Sequence, residues 1–117
     1  MYATGKIDYV ESPTNNIQKT KEFFEQLFGW KFTDFGPDYT AYNDGRMRGG
    51  FYKAERVAAA RSGSVLVVFY TPTLEDSKKK VIRLKGKIVK DIFSFPGGRR
   101  FHFLEPGGSE YAIWSDR

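Results

Sequence analysis

Apolar residues recur at helical spacing in two stretches of the chain. In the first, Ile17, Phe24, Leu27 and Phe28 fall on one face of a helix ending at Gly29. Asn15 stands where an N-cap is needed, with Gln18 three residues on as in a capping box, and Gly29 is a natural left-handed stop. In the second, Leu74, Val81 and Leu84 make the stripe, Thr73 precedes it as N-cap and Gly86 closes it. Arg83 and Lys85 place positive charge in the last turn, where it complements the helix dipole. Between these helices the period shortens to strand-like segments. Residues 7–11 alternate ahead of the first helix; 30–35, 39–43 and 50–53 follow it, with Gly36-Pro37-Asp38 and Asp44-Gly45 as turns. Residues 65–70 precede the second helix; 87–92, 100–104 and 110–115 follow, with Pro96-Gly97-Gly98 and Pro106-Gly107-Gly108 between them. The chain therefore states one pattern twice. It predicts an α+β fold of two βαβββ modules in a single domain, residues 6–53 and 64–115, joined by a linker over 54–63. Neither module can bury its sheet face alone, so the two must share one core.

Composition narrows the chemistry. The chain's 117 residues suit one domain. It has no cysteine, which removes disulfides, thiolate nucleophiles and cysteine-bound metal clusters. Its single histidine, His102, excludes any site that takes two imidazole ligands from one chain. The 11 Phe, 7 Tyr and 2 Trp exceed what such a core needs, which points to an aromatic pocket or partner surface. Nineteen Lys+Arg against 14 Asp+Glu give a net charge of +5. The densest basic stretch is Lys78, Lys79, Lys80, Arg83, Lys85, Lys87 and Lys90. Glu75 and Asp76 open that segment and no aromatic within 74–90 offers a base a stacking surface, so it reads as a solvated helix face and not as a nucleic-acid site. The longest apolar run, 65–70, is far short of the ~20 residues that span a bilayer. Polar residues interrupt the N-terminus too early for a secretory leader, and a cytoplasmic location is expected. Neither Arg48-Gly49-Gly50 nor Pro96-Gly97-Gly98-Arg99 has phosphate-loop spacing or opens a helix. Ser94 and Ser109 fall in turn regions with no placement beside His102, so no serine nucleophile is expected.

The repeat, the phrase Phe23-Phe24-Glu25-Gln26-Leu27-Phe28-Gly29-Trp30 and the late turn Glu105-Pro106-Gly107-Gly108 together resemble the vicinal oxygen chelate superfamily. That superfamily includes glyoxalase I, bleomycin-resistance proteins and extradiol dioxygenases, and the phrase is most similar to a poorly characterised glyoxalase-like branch. The resemblance covers about residues 6–115. It implies one cup-shaped, mostly antiparallel sheet of eight strands with the helices outside, a small-molecule site in the concavity, and a homodimer. It also implies four metal-ligand positions, falling at Tyr9, within residues 48–52, at Leu66 and at Ala112. None of these offers the imidazole or carboxylate that a divalent ion takes in such a setting. No metal or other cofactor is therefore expected, and glyoxalase I and extradiol dioxygenase activities are not expected either.

Strand alternation extends the cup-facing set from Tyr9, Leu66 and Ala112 to Ile7, Glu11, Val68, Tyr70, Glu110 and Trp114. The ligand-binding expectation rests on Tyr9, Glu11, Leu66, Val68, Tyr70, Ala112 and Trp114, with a small organic molecule as partner. Glu11 suits a general base or a polar anchor; the plainer reading is a strand-end carboxylate near the rim, solvated or paired with a lysine or arginine. His102, turned to the cup with its neighbours Phe101 and Phe103 turned to the helices, suits proton transfer near neutral pH; the plainer reading is a merely hydrogen-bonded or surface histidine. Glu110, beside a Gly-Gly-Ser turn, is expected at the surface, as are Arg48, Arg99 and Arg100. Three functions stay open: a metal-free binding protein, a small lyase or isomerase using Glu11 or His102, and an inert interaction domain.

Overall fold

Two helices and eight strands make up the computed structural model, which describes residues 2–117. Strand β1 (Tyr9–Thr14) leads into helix α1 (Ile17–Phe28), followed by β2 (Lys31–Asp34), β3 (Tyr39–Asn43) and β4 (Arg48–Lys53). A linker with one short 3-10 turn at Ala60–Ser62 comes next. The second module repeats the order: β5 (Val67–Tyr70), α2 (Leu74–Arg83), β6 (Lys87–Phe95), β7 (Gly98–Leu104) and β8 (Glu110–Ser115). No helix among the described residues is long and apolar enough to cross a membrane.

The helix ends differ in detail from the spacing. Asn16, not Asn15, caps α1, its side chain accepting the Lys19 N–H at 3.0 Å. Asn15 is occupied elsewhere: its N–H donates to the Gly107 carbonyl of the other module at 2.9 Å. Thr73 takes the N-cap position of α2 without a side-chain capping bond. The local bonds come instead from Thr71, whose hydroxyl accepts the Thr73 N–H at 3.2 Å and the Ser77 hydroxyl at 3.0 Å. At the far end Lys85 adopts the left-handed conformation, φ 75°. Gly86 is needed for closeness, because a Cβ there would press on the Val81 side chain.

The strands form two four-stranded mixed sheets, ordered β1-β4-β3-β2 and β5-β8-β7-β6. In each, the strand before the helix pairs parallel with the last strand of its module and the remaining pairs are antiparallel. The α+β architecture of two βαβββ modules is as the sequence pattern predicts. The eight strands do not merge into one continuous sheet. Among the described residues no strand of one sheet pairs with a strand of the other. Strand β6 runs through Ser94, which the sequence pattern assigned to a turn, and it carries two irregularities in its pairing with β7.

Phe24 joins the modules. It is fully buried and its ring lies 5.5 Å from Phe51 of β4, 5.8 Å from Phe69 of β5 and 5.5 Å from Tyr111 of β8. Phe23 beside it reaches Phe103 of β7 at 5.8 Å. The helix-facing sides of both sheets therefore share one core, with α1 at their junction. A second seam is polar. The Thr20 hydroxyl donates to Glu105 Oε1 at 2.8 Å and is itself bonded to the Thr14 hydroxyl at 2.6 Å. The Ser109 hydroxyl donates to the Pro13 carbonyl at 2.7 Å. Gly107 sits where any Cβ would collide with the Thr14 and Thr20 hydroxyls, so the late glycine turn seats the two modules against each other.

Candidate functional site

With Val10, Ser12, Thr40, Tyr42 and Phe51 on the helix side of the first sheet, alternation turns Tyr9, Glu11 and Tyr39 to its outer face. There the Tyr39 hydroxyl donates to Glu11 Oε2 at 2.9 Å and also bonds the Tyr9 hydroxyl. Gly50, between Tyr39 and Tyr9, has no room for a side chain because both tyrosines cover it. Desolvation raises the Tyr39 hydroxyl pKa, and the hydrogen bonds to Tyr9 and Glu11 raise it further. Glu11 is thus an exposed carboxylate held by a tyrosine and, among the described residues, paired with no lysine or arginine. Its remaining acceptor capacity is open to a ligand hydroxyl or cation.

The outer face of the second sheet carries the rest of the expected set. Val68 and Tyr70 project from β5 and are 39% and 47% exposed; Ala112 and Trp114 stand opposite them on β8. Tyr70 donates to Asp116 at 2.7 Å, which raises its hydroxyl pKa, and meets the Trp114 ring edge-on at 5.2 Å. Val68, Tyr70 and Trp114 line a cavity of about 670 Å³ that continues past Trp30 to Asp44 and Arg46. Leu66 lies one residue before β5, half-buried, and Ala112 is fully buried. The expected site residues therefore form two groups. Tyr9 and Glu11 belong to the first sheet; Leu66, Val68, Tyr70, Ala112 and Trp114 belong to the second. Among the described residues no hydrogen bond joins the two groups.

His102 and Glu110 form a pair that the sequence did not show. Glu110 is not a surface residue: its side chain is only 12% exposed, and its Oε2 lies 2.8 Å from His102 Nδ1. Burial pulls the Glu110 carboxyl pKa up, but hydrogen bonds from His102 and the Ala60 amide, with the charges of His102 and Arg61, outweigh it and the net shift is downward. With Glu110 ionised, Nδ1 carries the proton, so in neutral His102 the other ring nitrogen, Nε2, is a proton acceptor. Nε2 is buried and has no hydrogen-bond partner among the described residues. The pair borders a cavity of about 440 Å³ under the linker, walled by Val57, Ala59, Val89 and Leu104 with Arg61 and Lys90 beside them. Alternation places His102 and Glu110 on one face. Their diagonal contact across β7 and β8, set by the 105–109 turn, is what sequence spacing could not supply.

A metal fits poorly. Tyr9, Leu66 and Ala112 stand at the positions where the resemblance calls for ligands, and residues 48–52 are Arg-Gly-Gly-Phe-Tyr. Among the described residues no three His, Asp or Glu side chains gather at one point. Phenol, isobutyl and methyl groups do not replace imidazole and carboxylate as a donor set.

No curated protein matches the sequence. Among solved structures, a glyoxalase/bleomycin resistance protein/dioxygenase family enzyme from Burkholderia phytofirmans is 17% identical with a TM-score of 0.78, covering 95% of this chain and 100% of its own. A lactoylglutathione lyase from Agrobacterium tumefaciens is 14% identical with a TM-score of 0.71, covering 97% and 96%. A fosfomycin resistance protein from Listeria monocytogenes is 10% identical with a TM-score of 0.78, covering 96% and 90%. At these identities the likeness is one of fold. The family model described as Glyoxalase/Bleomycin resistance protein/Dioxygenase superfamily matches residues 6–113, nearly the whole of both modules, and the chain belongs to that family.

Proposed function

We propose that this chain is a metal-free small-molecule-binding protein of the glyoxalase/bleomycin-resistance type, acting as a cytoplasmic homodimer of single-domain chains. The observation that carries the reading is what the outer sheet faces hold. Tyr9 and Tyr52 on the first sheet and Val68 and Tyr70 on the second are each 39–47% exposed, so both faces turned away from the helices present aromatic or branched surface. Glu11 on one sheet and the Val68–Tyr70–Trp114 wall on the other are two half-sites. A second copy that lays its first sheet against the second sheet of its neighbour completes both, enclosing apolar walls with a few polar anchors as small-molecule sites require. The poor donor set at the superfamily's metal positions supports binding without a metal.

The test has two parts. Light scattering at micromolar concentration is expected to give twice the chain mass; a monomer would overturn the shared cup. A metabolite screen by thermal shift compares wild type with Glu11→Ala. A ligand at a hundredfold its Kd raises stability by about 2.7 kcal/mol, and hits are expected to weaken in Glu11→Ala. Equal binding by both would remove Glu11 from the site, and an empty screen would favour an inert interaction domain.

The His102–Glu110 pair favours one further reading, a lyase or isomerase in which Nε2 takes a proton from the ligand. Such an enzyme would exchange an acidic ligand C–H with deuterium in heavy water, and His102→Gln would stop the exchange while leaving binding intact. Exchange that survives His102→Gln would remove the histidine from the chemistry.

A further inference from the structure

The second sheet concentrates unpaired positive charge on aromatic rings. The Lys90 ammonium lies 4.4 Å from the centre of the Phe93 ring, and the Arg100 guanidinium lies 5.3 Å from the same ring and 5.5 Å from Phe95. His102 is 5.9 Å from Phe93. Neither Lys90 nor Arg100 forms an ion pair with any described carboxylate, and Arg100 Nε is buried without a hydrogen-bond partner. Glu110 on this face is already bonded to His102 and to the Ala60 amide, and Asp116 accepts from the Tyr70 hydroxyl. Glu11 belongs to the other sheet and is bonded to Tyr39.

This convergence is built into the backbone. Lys90 and Phe93 are three residues apart, so in a regular strand they would face opposite ways. The irregularity in β6 between them sets Lys90 opposite His102 and Phe93 opposite Arg100, and those two lie on one face of β7. A bulge that re-aims side chains onto one face is a device found beside functional sites. Here it gathers two like charges on one ring. They repel each other, and an anion placed between them would relieve that repulsion.

Beside Arg100 an open pocket of about 340 Å³ is walled by Val68, Phe95, Pro96 and Trp114. The wall is apolar, its Phe95 and Trp114 rings inclined at 54° to each other, and Arg100 provides its cationic donor. A guanidinium grips a carboxylate through two parallel N–H bonds, while indole and phenyl faces take a planar ring.

We propose that this face binds a small aromatic carboxylate, its carboxylate on Arg100 with Lys90 adding charge, and its ring laid against the Trp114 and Phe95 side chains, whose ring centres lie 6.3 Å apart. The inference rests on the binding-protein reading and specifies the ligand class on the second sheet; it does not require Glu11.

The probe is 2-naphthoate, compared with the uncharged 2-naphthylmethanol, each titrated into the full chain by calorimetry and by tryptophan fluorescence. Saturable 2-naphthoate binding that quenches fluorescence is expected. It should be at least about tenfold tighter than 2-naphthylmethanol, the scale of one charge-assisted hydrogen bond. Arg100→Gln is expected to remove most of that difference, weakening 2-naphthoate far more than 2-naphthylmethanol, and Trp114→Phe to remove most of the quench. Equal affinity for the two probes overturns the carboxylate assignment but leaves the binding-protein reading standing. Preference for 2-naphthoate that survives undiminished in Arg100→Gln overturns the role of Arg100. Absence of saturable binding by either probe overturns this ligand class, while the Glu11 screen still decides the broader reading. Circular dichroism of each variant separates lost binding from lost fold.

Discussion

Between about pH 4.5 and about pH 7 the unfolding free energy is expected to fall by about 3 kcal/mol, and Glu105→Gln is expected to abolish most of that fall. Glu105 is 1% exposed. Burial is the leading cause of its shift and pushes its pKa up to about 7, against opposing hydrogen bonds from Gly107, Thr20 and Ser109. Its Oε2 has no hydrogen-bond partner among the described residues, so none of them satisfies that oxygen when the group is charged. The sign follows from proton counting. In the unfolded chain this carboxyl ionises near 4.5; in the folded chain it holds its proton to about 7. Across that window the native state binds more protons, so stability falls as pH rises and levels off above it. The lowered carboxyls, Glu110, Asp34, Glu75, Asp91 and Asp116, work the other way, losing stability only as pH falls below their unfolded values. Urea unfolding of wild type and Glu105→Gln at the two ends of the window distinguishes these contributions. Parallel pH profiles for the two proteins would show that Glu105 does not carry the effect. Because Glu105 reaches Thr20 across the module seam, the loss should also appear as faster amide exchange around 13–20 and 105–109.

The second large effect is at Phe24. Phe24→Ala is expected to cost about 3–5 kcal/mol, a substantial share of the roughly 5–15 kcal/mol that holds a domain folded. Its ring contacts Phe23, Phe28, Trp30, Phe51, Phe69 and Tyr111, stacked on Trp30 at 4.6 Å and edge-on to Tyr111 at 5.5 Å. Removing it opens a void that helix and sheets from both modules border, and stiff aromatic rings collapse poorly into such a space. Phe24→Leu, which keeps most of the volume, should cost clearly less. A midpoint for Phe24→Ala within experimental error of wild type would mean that the modules are held together elsewhere.

The amino-acid pattern alone determined a great deal. Both helices, the strand segments and the twofold βαβββ order were legible because amphipathic period and glycine-proline turns are local signals. The Phe23-Phe24 phrase and the Glu105-Pro106-Gly107-Gly108 turn carried the family for the same reason: they mark the places where the modules meet, and the structure uses both there. Alternation also placed Glu11, Val68, Tyr70 and Trp114 on the sheet faces turned away from the helices. What local pattern could not decide was register and enclosure. Whether eight strands close into one sheet or pair off as two fours depends on edge contacts between distant segments, and no single strand encodes its neighbour. The partners of Glu11 and Glu110, Tyr39 and His102, come from strands 28 and 8 residues away. The face to which Phe93 points depends on a β6 irregularity that shifts the register by one residue, and a one-residue slip reverses every side chain beyond it. Burial of Glu105 likewise appears only when the two modules close on it. Charge and shape at the candidate site are thus properties of strand pairing and module packing, which the sequence encodes only through the whole fold.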